Sequence, residues 1–405
     1  MAASATDLTN DQTTQRAIEI LEKLVGFNTV SSESNVPLIE WAANYLDGFG
    51  FQSRIQKTAD GRHANLFSTI GPADGEGVSG GVVLAGHSDV VPVEGQPWTT
   101  DPFKLTPQQD RLLARGSADM KGFIACCLAR AEQFARPGLK QAVHIAMSYN
   151  EETNMQGMQD LTDLLAGEGL SPSACVIGEP TMMQVVVANK GAAIFNVAVR
   201  GFPAHSSLRD SGASAVEVSA EIISYLNGIQ KRLRDAERHD GFDFPFTSIH
   251  AGRIHGGTAH NIIAQDCEFG FEIRALPGVD ANEILRDIQQ YCDTQLLPAM
   301  REISDECSIT IKPVVNSPGL DETTNRNLAQ AIMPLCNCLK PGRVSFGTEA
   351  GFMTKAGVPT VVCGPGDIHV AHQPDEFVEV SQIGQCVAFL DTLDARLRQS
   401  SLLQG

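Results

Sequence analysis

The segment GVVLAGHSD, residues 81–89, is an apolar run that stops at His87 and places Asp89 two positions further on. The same grammar recurs four times. Short apolar segments end in SAD at Asp119, in NEE at Glu151 and Glu152, in GEP at Glu179 and, after VPTVVCGPG, in VAHQPDE at His372. Apolar runs of this length alternating with longer amphipathic stretches predict a mostly parallel α/β sheet, and ligands in such sheets sit beyond the carboxyl ends of the strands. All five clusters then fall on one edge. Two histidines and several carboxylates, with no cysteine among them, describe a site for a divalent metal such as zinc, with two ions sharing one carboxylate.

The chain has 405 residues, which is long for one core and predicts two domains. Its 42% hydrophobic content is ample to bury them, and no run approaches the roughly 20 apolar residues needed to span a bilayer. The N-terminal stretch MAASATDLTNDQTTQRAIEI lacks the basic start and apolar core of a signal peptide, so the expected location is the cytoplasm. Ten scattered cysteines, including the adjacent Cys126 and Cys127 but no CxxC pair, read as reduced core residues. A net charge of -18 argues against nucleic acid as a partner and for acids consumed in binding cations.

Residues 11–26 and 36–49 carry apolar positions at helical spacing, with Thr9, Asn10 and Ser34 as expected caps. Residues 62–70 and 81–86 read as strands separated by the Gly-rich loop GPADGEGVSGG. A helix follows Asp119 as far as Pro137 and Gly138; then come a strand (AVHIAMSY), a helix over about 156–166 and a strand (ACVIG). Beyond residue 190 the pattern becomes β-α-β-β-α-β, from AAIFNVAVRG to CSITIKPVV, the order of a ferredoxin-like domain. This predicts a discontinuous catalytic domain, 1–190 and 315–405, interrupted by an inserted domain over 191–314. The exposed sheet edge or helical layer of the insert is a natural dimer surface.

His87 followed by Asp89 reads as a ligand with a carboxylate that holds its imidazole tautomer. Adjacent Glu151 and Glu152 at a buried strand end would only repel each other unless metal stands beside them, where one can ligate and the other act as base. Asp119 and Glu179 taken alone are undecided between ligand and ordinary turn residue, and His205 in GFPAHSS is an even choice between function and plain loop. His63, His144, His239, His250, His255, His260 and His369 read as ordinary structural or surface histidines.

The set GHSDVVPVEGQPW, GSADMKG, NEE, GEP, the insert bearing AHSS, and the closing GTEAGF, CGPG and AHQPDEF resembles the dinuclear zinc amidohydrolases and metallopeptidases. That family includes acetylornithine deacetylases, succinyl-diaminopimelate desuccinylases, glutamate carboxypeptidases and aminoacylases. The resemblance covers essentially the whole chain, and GTEAGF with GPGDIHVAHQPDEF is most similar to the acetylornithine deacetylase branch. It implies a zinc-exopeptidase-like three-layer αβα catalytic domain with an inserted ferredoxin-like dimerisation and lid domain.

By the same resemblance, His87, Asp119 and Glu179 hold one metal, and Asp119, Glu152 and His372 the other, with Asp119 bridging and its peptide to Met120 cis. The ions are zinc, with cobalt able to substitute. Glu151 is the general base and Asp89 supports the site. His205 is an oxyanion donor reaching across from the partner subunit of a homodimer. Asn261 and Arg274 are lid-domain contacts, Arg274 binding the substrate α-carboxylate; Lys190 and Thr348 are further substrate contacts, and Glu349 is the partner of an ornithine δ-ammonium, if it is not simply solvated. A water held between the cations gives its proton to Glu151 and attacks the amide of a small N-acyl amino acid. The implied reaction is removal of acetate from N2-acetyl-L-ornithine in arginine biosynthesis. Succinyl-diaminopimelate desuccinylase or a broad N-acyl-amino-acid deacylase or carboxypeptidase is the alternative within the family. Outside it stand a metal aminopeptidase, which recognises a free amino terminus, and a non-enzymatic scaffold, which would have lost ligands. His260, and NEET in place of a more acidic tail, depart from the family's usual pattern without touching these residues.

Overall fold

A computed structural model of the chain describes residues 11–72, 79–236 and 238–403. In chain order its strands are β1 (Gln52–Lys57), β2 (Ala64–Ile70), β3 (Val82–His87), β4 (Thr106–Gln108), β5 (Arg111–Leu113), β6 (Val143–Ser148), β7 (Ala174–Pro180), β8 (Val186–Asn189), β9 (Gly191–Arg200), β10 (Ser248–Gly256), β11 (Asp266–Ala275), β12 (Ser308–Ser317), β13 (Gly342–Val344), β14 (Thr360–Gly364) and β15 (Phe377–Glu379). They form an eight-stranded sheet in the order β1-β2-β6-β3-β7-β14-β8-β13, a four-stranded sheet β10-β11-β9-β12 and a small sheet β15-β5-β4. Two compact units result: Met1–Ala188 with Leu320–Arg343 and Thr348–Gly405, and Asn189–Gly319 with Val344–Gly347.

In the first unit β3, β6, β7 and β14 run parallel and are fully buried, as continuous apolar runs covered on both faces must be. The large sheet is mixed rather than mostly parallel. β1 and β2 are antiparallel, and so are β2 with β6 and β14 with β8. The polar sequence QSRIQK of β1 hides it, and the short link from β1 to β2 leaves no room for a crossover helix, which forces the antiparallel pairing.

Helices Gln12–Val25 and Val36–Asp47 pack their apolar faces into the core. The first is capped by Asp11, whose carboxylate accepts from the amides of Thr13 (2.9 Å) and Thr14 (3.2 Å); Thr9 and Asn10 lie outside the described residues, as does most of the Gly-rich loop. At the second helix Ser34 Oγ accepts from Val36 N at 3.3 Å. Asn35, in the cap position, spends its side chain elsewhere, bracing the Ala64 backbone and Ser88 Oγ beneath the end of β3.

Register then places the strand ends. His87 lies opposite Ser148 and Gly364 opposite Pro180, so the residues that follow β3, β6, β7 and β14 emerge along one edge. Asp119 arrives there differently, from a buried turn after β5 that opens at Gly116 (φ 80°) and contains a cis peptide to Met120. The helix Gly122–Ala129 that follows lies against β7 at Gly178, where a Cβ would stand 1.9 Å from the Phe123 ring, so only glycine permits the approach.

The second unit is the ferredoxin-like sheet predicted from its periodicity. β9 alternates strictly between buried and exposed positions over its second half, and the helices Ala215–Asp235 and Ala281–Tyr291 supply the apolar layer. Phe195, Phe269 and Phe271 centre its core, with Phe195 stacked on Phe271 at 5.1 Å. β10 is an outer strand, exposed along most of its length.

Candidate metal centre

His87 closes β3 with its ring fully buried. Its Nε2 lies 2.9 Å from Asp119 Oδ1 and 3.9 Å from Glu179 Oε2. The second oxygen of Asp119 is 3.3 Å from His372 Nε2, and that nitrogen is 3.0 Å from Glu152 Oε2. Two groups of potential metal donors therefore stand side by side, His87–Asp119–Glu179 and Asp119–Glu152–His372, each with ligand atoms within 4.8 Å of one another. Asp119 is common to both.

The ring of His87 is oriented by a hydrogen bond of 2.9 Å between Nδ1 and the backbone carbonyl of Asp89. A carbonyl only accepts, so Nδ1 always carries a proton, and Nε2 is the nitrogen turned toward the acids, the one that would give up its proton to meet a metal. This corrects the sequence reading, in which the Asp89 carboxylate fixed the tautomer: that carboxylate is 3.7 Å from Nδ1. It accepts instead from Ser31 Oγ (2.5 Å) and from the amides of Glu151 (3.0 Å) and Glu152 (3.3 Å). Asp89 is thus the clasp that holds the turn carrying both glutamates, a turn entered through Asn150 in a left-handed conformation (φ 56°).

The electrostatics are those of a cluster short of positive charge. Burial raises the carboxyls of Glu151 and Glu179 well above their ordinary range, and the neighbouring acids add to the shift. Burial, with Asp119 nearby, lifts Glu152 to about 7. Burial also opposes ionisation of Asp119, yet the two imidazoles flanking it hold it well below the carboxylate range. The imidazoles answer in kind. His372 is pushed up to about 10 by Asp119 and Glu152, and His87 stays protonated well above its usual value despite its burial. Two histidines cannot neutralise this many buried acids, and unpaired buried charge is costly. Imidazole nitrogens and carboxylate oxygens without a thiolate suit zinc and related divalent ions, so the residues present fit a pair of such ions.

Glu349 belongs to the same cluster. Its side chain is fully buried rather than solvated, and burial raises it to about 7 despite the opposing influence of His87. One oxygen accepts from Ser148 Oγ at 2.8 Å; the other has no hydrogen-bond partner among the described residues. Thr348 is buried and accepts from Ala350 N at 3.2 Å, at the start of the helix Ala350–Lys355.

The four other predicted residues lie in the second unit. His205 is exposed, with Nδ1 2.8 Å from Ser207 Oγ, and pairs through its backbone with Ile262, beside Asn261. Arg274 on β11 pairs with Glu272 at 3.0 Å. Lys190 is buried, donates to the Phe246 carbonyl at 2.8 Å and lies near the Phe242 and Phe246 rings. Sequence reasoning passed over two charged residues of the first unit, Arg115 and Glu376, that are buried behind the cluster; Glu376 sits inside the AHQPDEF motif, and that was its only signal.

Residues 83–393 match the model of peptidase family M20/M25/M40. The chain belongs to this family. Among M20 relatives, a Myxococcus xanthus protein named acetylornithine deacetylase is 36% identical over 91% of this chain and 94% of its own length. A Proteus mirabilis protein of the same name is 33% identical over 90% and 92%. The M20 fold is equally plain in solved structures. A metallo-carboxypeptidase of Sulfolobus solfataricus superposes with a TM-score of 0.73 at 16% identity, covering 96% of this chain and 99% of that one. A dinuclear metal-binding M20 peptidase of Bacillus subtilis superposes with a TM-score of 0.65 at 13% identity, covering 96% and 99%. This M20 chain is a hydrolase acting on amide bonds.

Proposed function

We propose that the protein is a dinuclear metal-dependent deacetylase that hydrolyses N2-acetyl-L-ornithine to acetate and L-ornithine, a step of arginine biosynthesis. The observation that carries the reading is Asp119 shared between two complete donor sets. The relatives named acetylornithine deacetylase support the choice of substrate, and so does the uncommitted buried oxygen of Glu349, suited to a cationic side chain.

His87, Asp119 and Glu179 would hold one ion and Asp119, Glu152 and His372 the other, zinc by preference with cobalt as a substitute. Such ions lower the pKa of a water and polarise an amide carbonyl. The rest is done by the protein's side chains. Glu151, poised for proton transfer by its raised affinity for a proton, takes one from the attacking water and returns it to the leaving nitrogen as the C–N bond breaks. His205, supplied by the partner subunit of a homodimer built on the second unit, donates a hydrogen bond to the former carbonyl oxygen. Arg274 binds the substrate α-carboxylate; Lys190, Asn261 and Thr348 line the same substrate, and Glu349 meets the δ-ammonium. The exposed outer strand β10 is a ready dimer edge. Ten unpaired cysteines suit the cytoplasm, and no helix among the described residues is long and apolar enough to cross a membrane.

The test is amine release by zinc- and cobalt-loaded protein from N-acetyl-ornithine, N-succinyl-diaminopimelate, N-acetyl-methionine and an acyl-glutamate. N-acetyl-ornithine should give the highest kcat/KM, and Glu349→Gln should lower it more than it lowers that for N-acetyl-methionine. Preference for a succinylated or an uncharged substrate overturns the proposal.

A further inference from the structure

Three of the five proposed ligands, Asp119, Glu152 and His372, come from irregular stretches rather than from strands, and the Asp89 clasp reaches the turn of Glu152 but not the other two. Something else must hold them in place. Behind both lies the ion pair of Arg115 and Glu376, each only 1% exposed, with Nη1 2.5 Å from Oε2. The other oxygen of Glu376 accepts from two successive backbone amides, Ala118 at 3.0 Å and Asp119 at 3.1 Å. On the far side, Arg115 Nη2 donates to Gln96 Oε1 at 2.6 Å, and Gln96 Nε2 donates to the carbonyl of His372 at 3.0 Å. An unbroken chain of hydrogen bonds thus runs from the amide of Asp119 through Glu376, Arg115 and Gln96 to the backbone of His372.

Neighbouring contacts stiffen this chain. Trp98 lies by the guanidinium, 5.1 Å from its ring centroid, and donates to Gln96 Oε1 at 3.0 Å. Thr99 grips Asp375 with both its amide and its hydroxyl at 2.9 Å. His372 itself has φ 62°, a left-handed conformation that a non-glycine residue keeps only where its surroundings impose it. As a mere stabiliser the pair is a poor choice, since a buried ion pair rarely outperforms well-packed apolar residues. Its hydrogen bonds go to the two ligand-bearing segments.

We infer that Arg115, Glu376 and Gln96 are positioning residues that set the separation between the shared carboxylate of Asp119 and the imidazole of His372, and thereby the affinity of the second ion. The inference rests on the dinuclear reading, and its test separates the two. Full-length metal-free protein is titrated with zinc against a chromophoric chelator, and with cobalt followed by its visible absorption, to obtain two dissociation constants. Gln96→Met removes the link to His372 but leaves Glu376 on the Asp119 amide. It should weaken the second ion by the 10- to 100-fold typical of residues that orient ligands, leaving the first unchanged. Glu376→Gln should weaken both and alter the cobalt spectrum, because Asp119 serves both ions. The melting temperature of metal-free Gln96→Met should stay at the wild-type value. Wild-type affinities in Gln96→Met, or equal loss at both sites, overturn the inference. A wild-type protein that takes up a single ion overturns the dinuclear reading instead.

Discussion

The carboxylate of Asp119 turns one oxygen to the ring of His87 at 2.9 Å and leaves its other oxygen for a second group of donors. Each oxygen can then serve a different cation. Asp119→Ala should release both ions, whereas Glu179→Ala should chiefly weaken the one shared with His87. Metal content of the purified variants checks this, and near-full occupancy in Asp119→Ala would sink the bridging assignment.

Glu151 and Glu152 are adjacent, yet only Glu152 is within ligand distance of His372 and Asp119. Glu151→Ala should keep its metal and lose roughly 10² to 10⁴ in turnover, the range of general acid–base catalysis. Glu152→Ala should lose metal. Comparing kcat with metal content decides the roles: a metal-replete Glu151→Ala enzyme with wild-type turnover refutes them.

His205→Ala should cost about 10² to 10³ in turnover with little change in metal content or KM, the profile of a lost oxyanion donor. Its action from the partner is tested by mixing inactive His205→Ala and Glu151→Ala dimers under conditions that exchange subunits. One site of each heterodimer would carry both defects and the other neither, so activity should climb toward half of wild type per heterodimer. If mass spectrometry verifies exchange and no activity returns, His205 does not act in trans.

His144 on β6 is buried neutral. Burial lowers it to about 4 from 6.5, although its Nε2 bonds the Gly80 carbonyl at 2.7 Å. Between those values the unfolded chain binds a proton that the folded chain refuses, so this stability is present above pH 6.5 and is lost as pH falls toward 4. The loss is roughly 3 kcal/mol at its fullest. Melting temperatures of metal-free protein from pH 7 to 4.5 should therefore fall more steeply for wild type than for His144→Leu. Parallel slopes would show that His144 does not contribute.

Periodicity read the fold where a strand is buried on both faces or alternates cleanly. The apolar run ending in His87, the strand ending in Glu179 and the alternation of β9 could each be placed from local pattern. β1 could not, because QSRIQK is polar and half exposed and becomes a strand only by pairing with β2. The short β4 and β5 likewise depend on β15, more than 260 residues further along the chain. The site divides in the same way. Residue types and their positions after apolar runs singled out His87, Asp119, Glu151, Glu152, Glu179 and His372, since a strand must end where its polar residues begin.

The sequence by itself determined the α/β and ferredoxin-like patterns and the donor chemistry, because both follow from side-chain type and spacing along the chain. Only the tertiary structure decided who holds whom. It gave the Asp89 carboxylate to the Glu151 and Glu152 amides and its carbonyl to His87, buried Glu349 against Ser148, and joined Asp119 to His372 through Glu376, Arg115 and Gln96. Those bonds link residues as much as 276 positions apart. They form because burial removes water as the competing partner, which makes each polar group find its match across the fold.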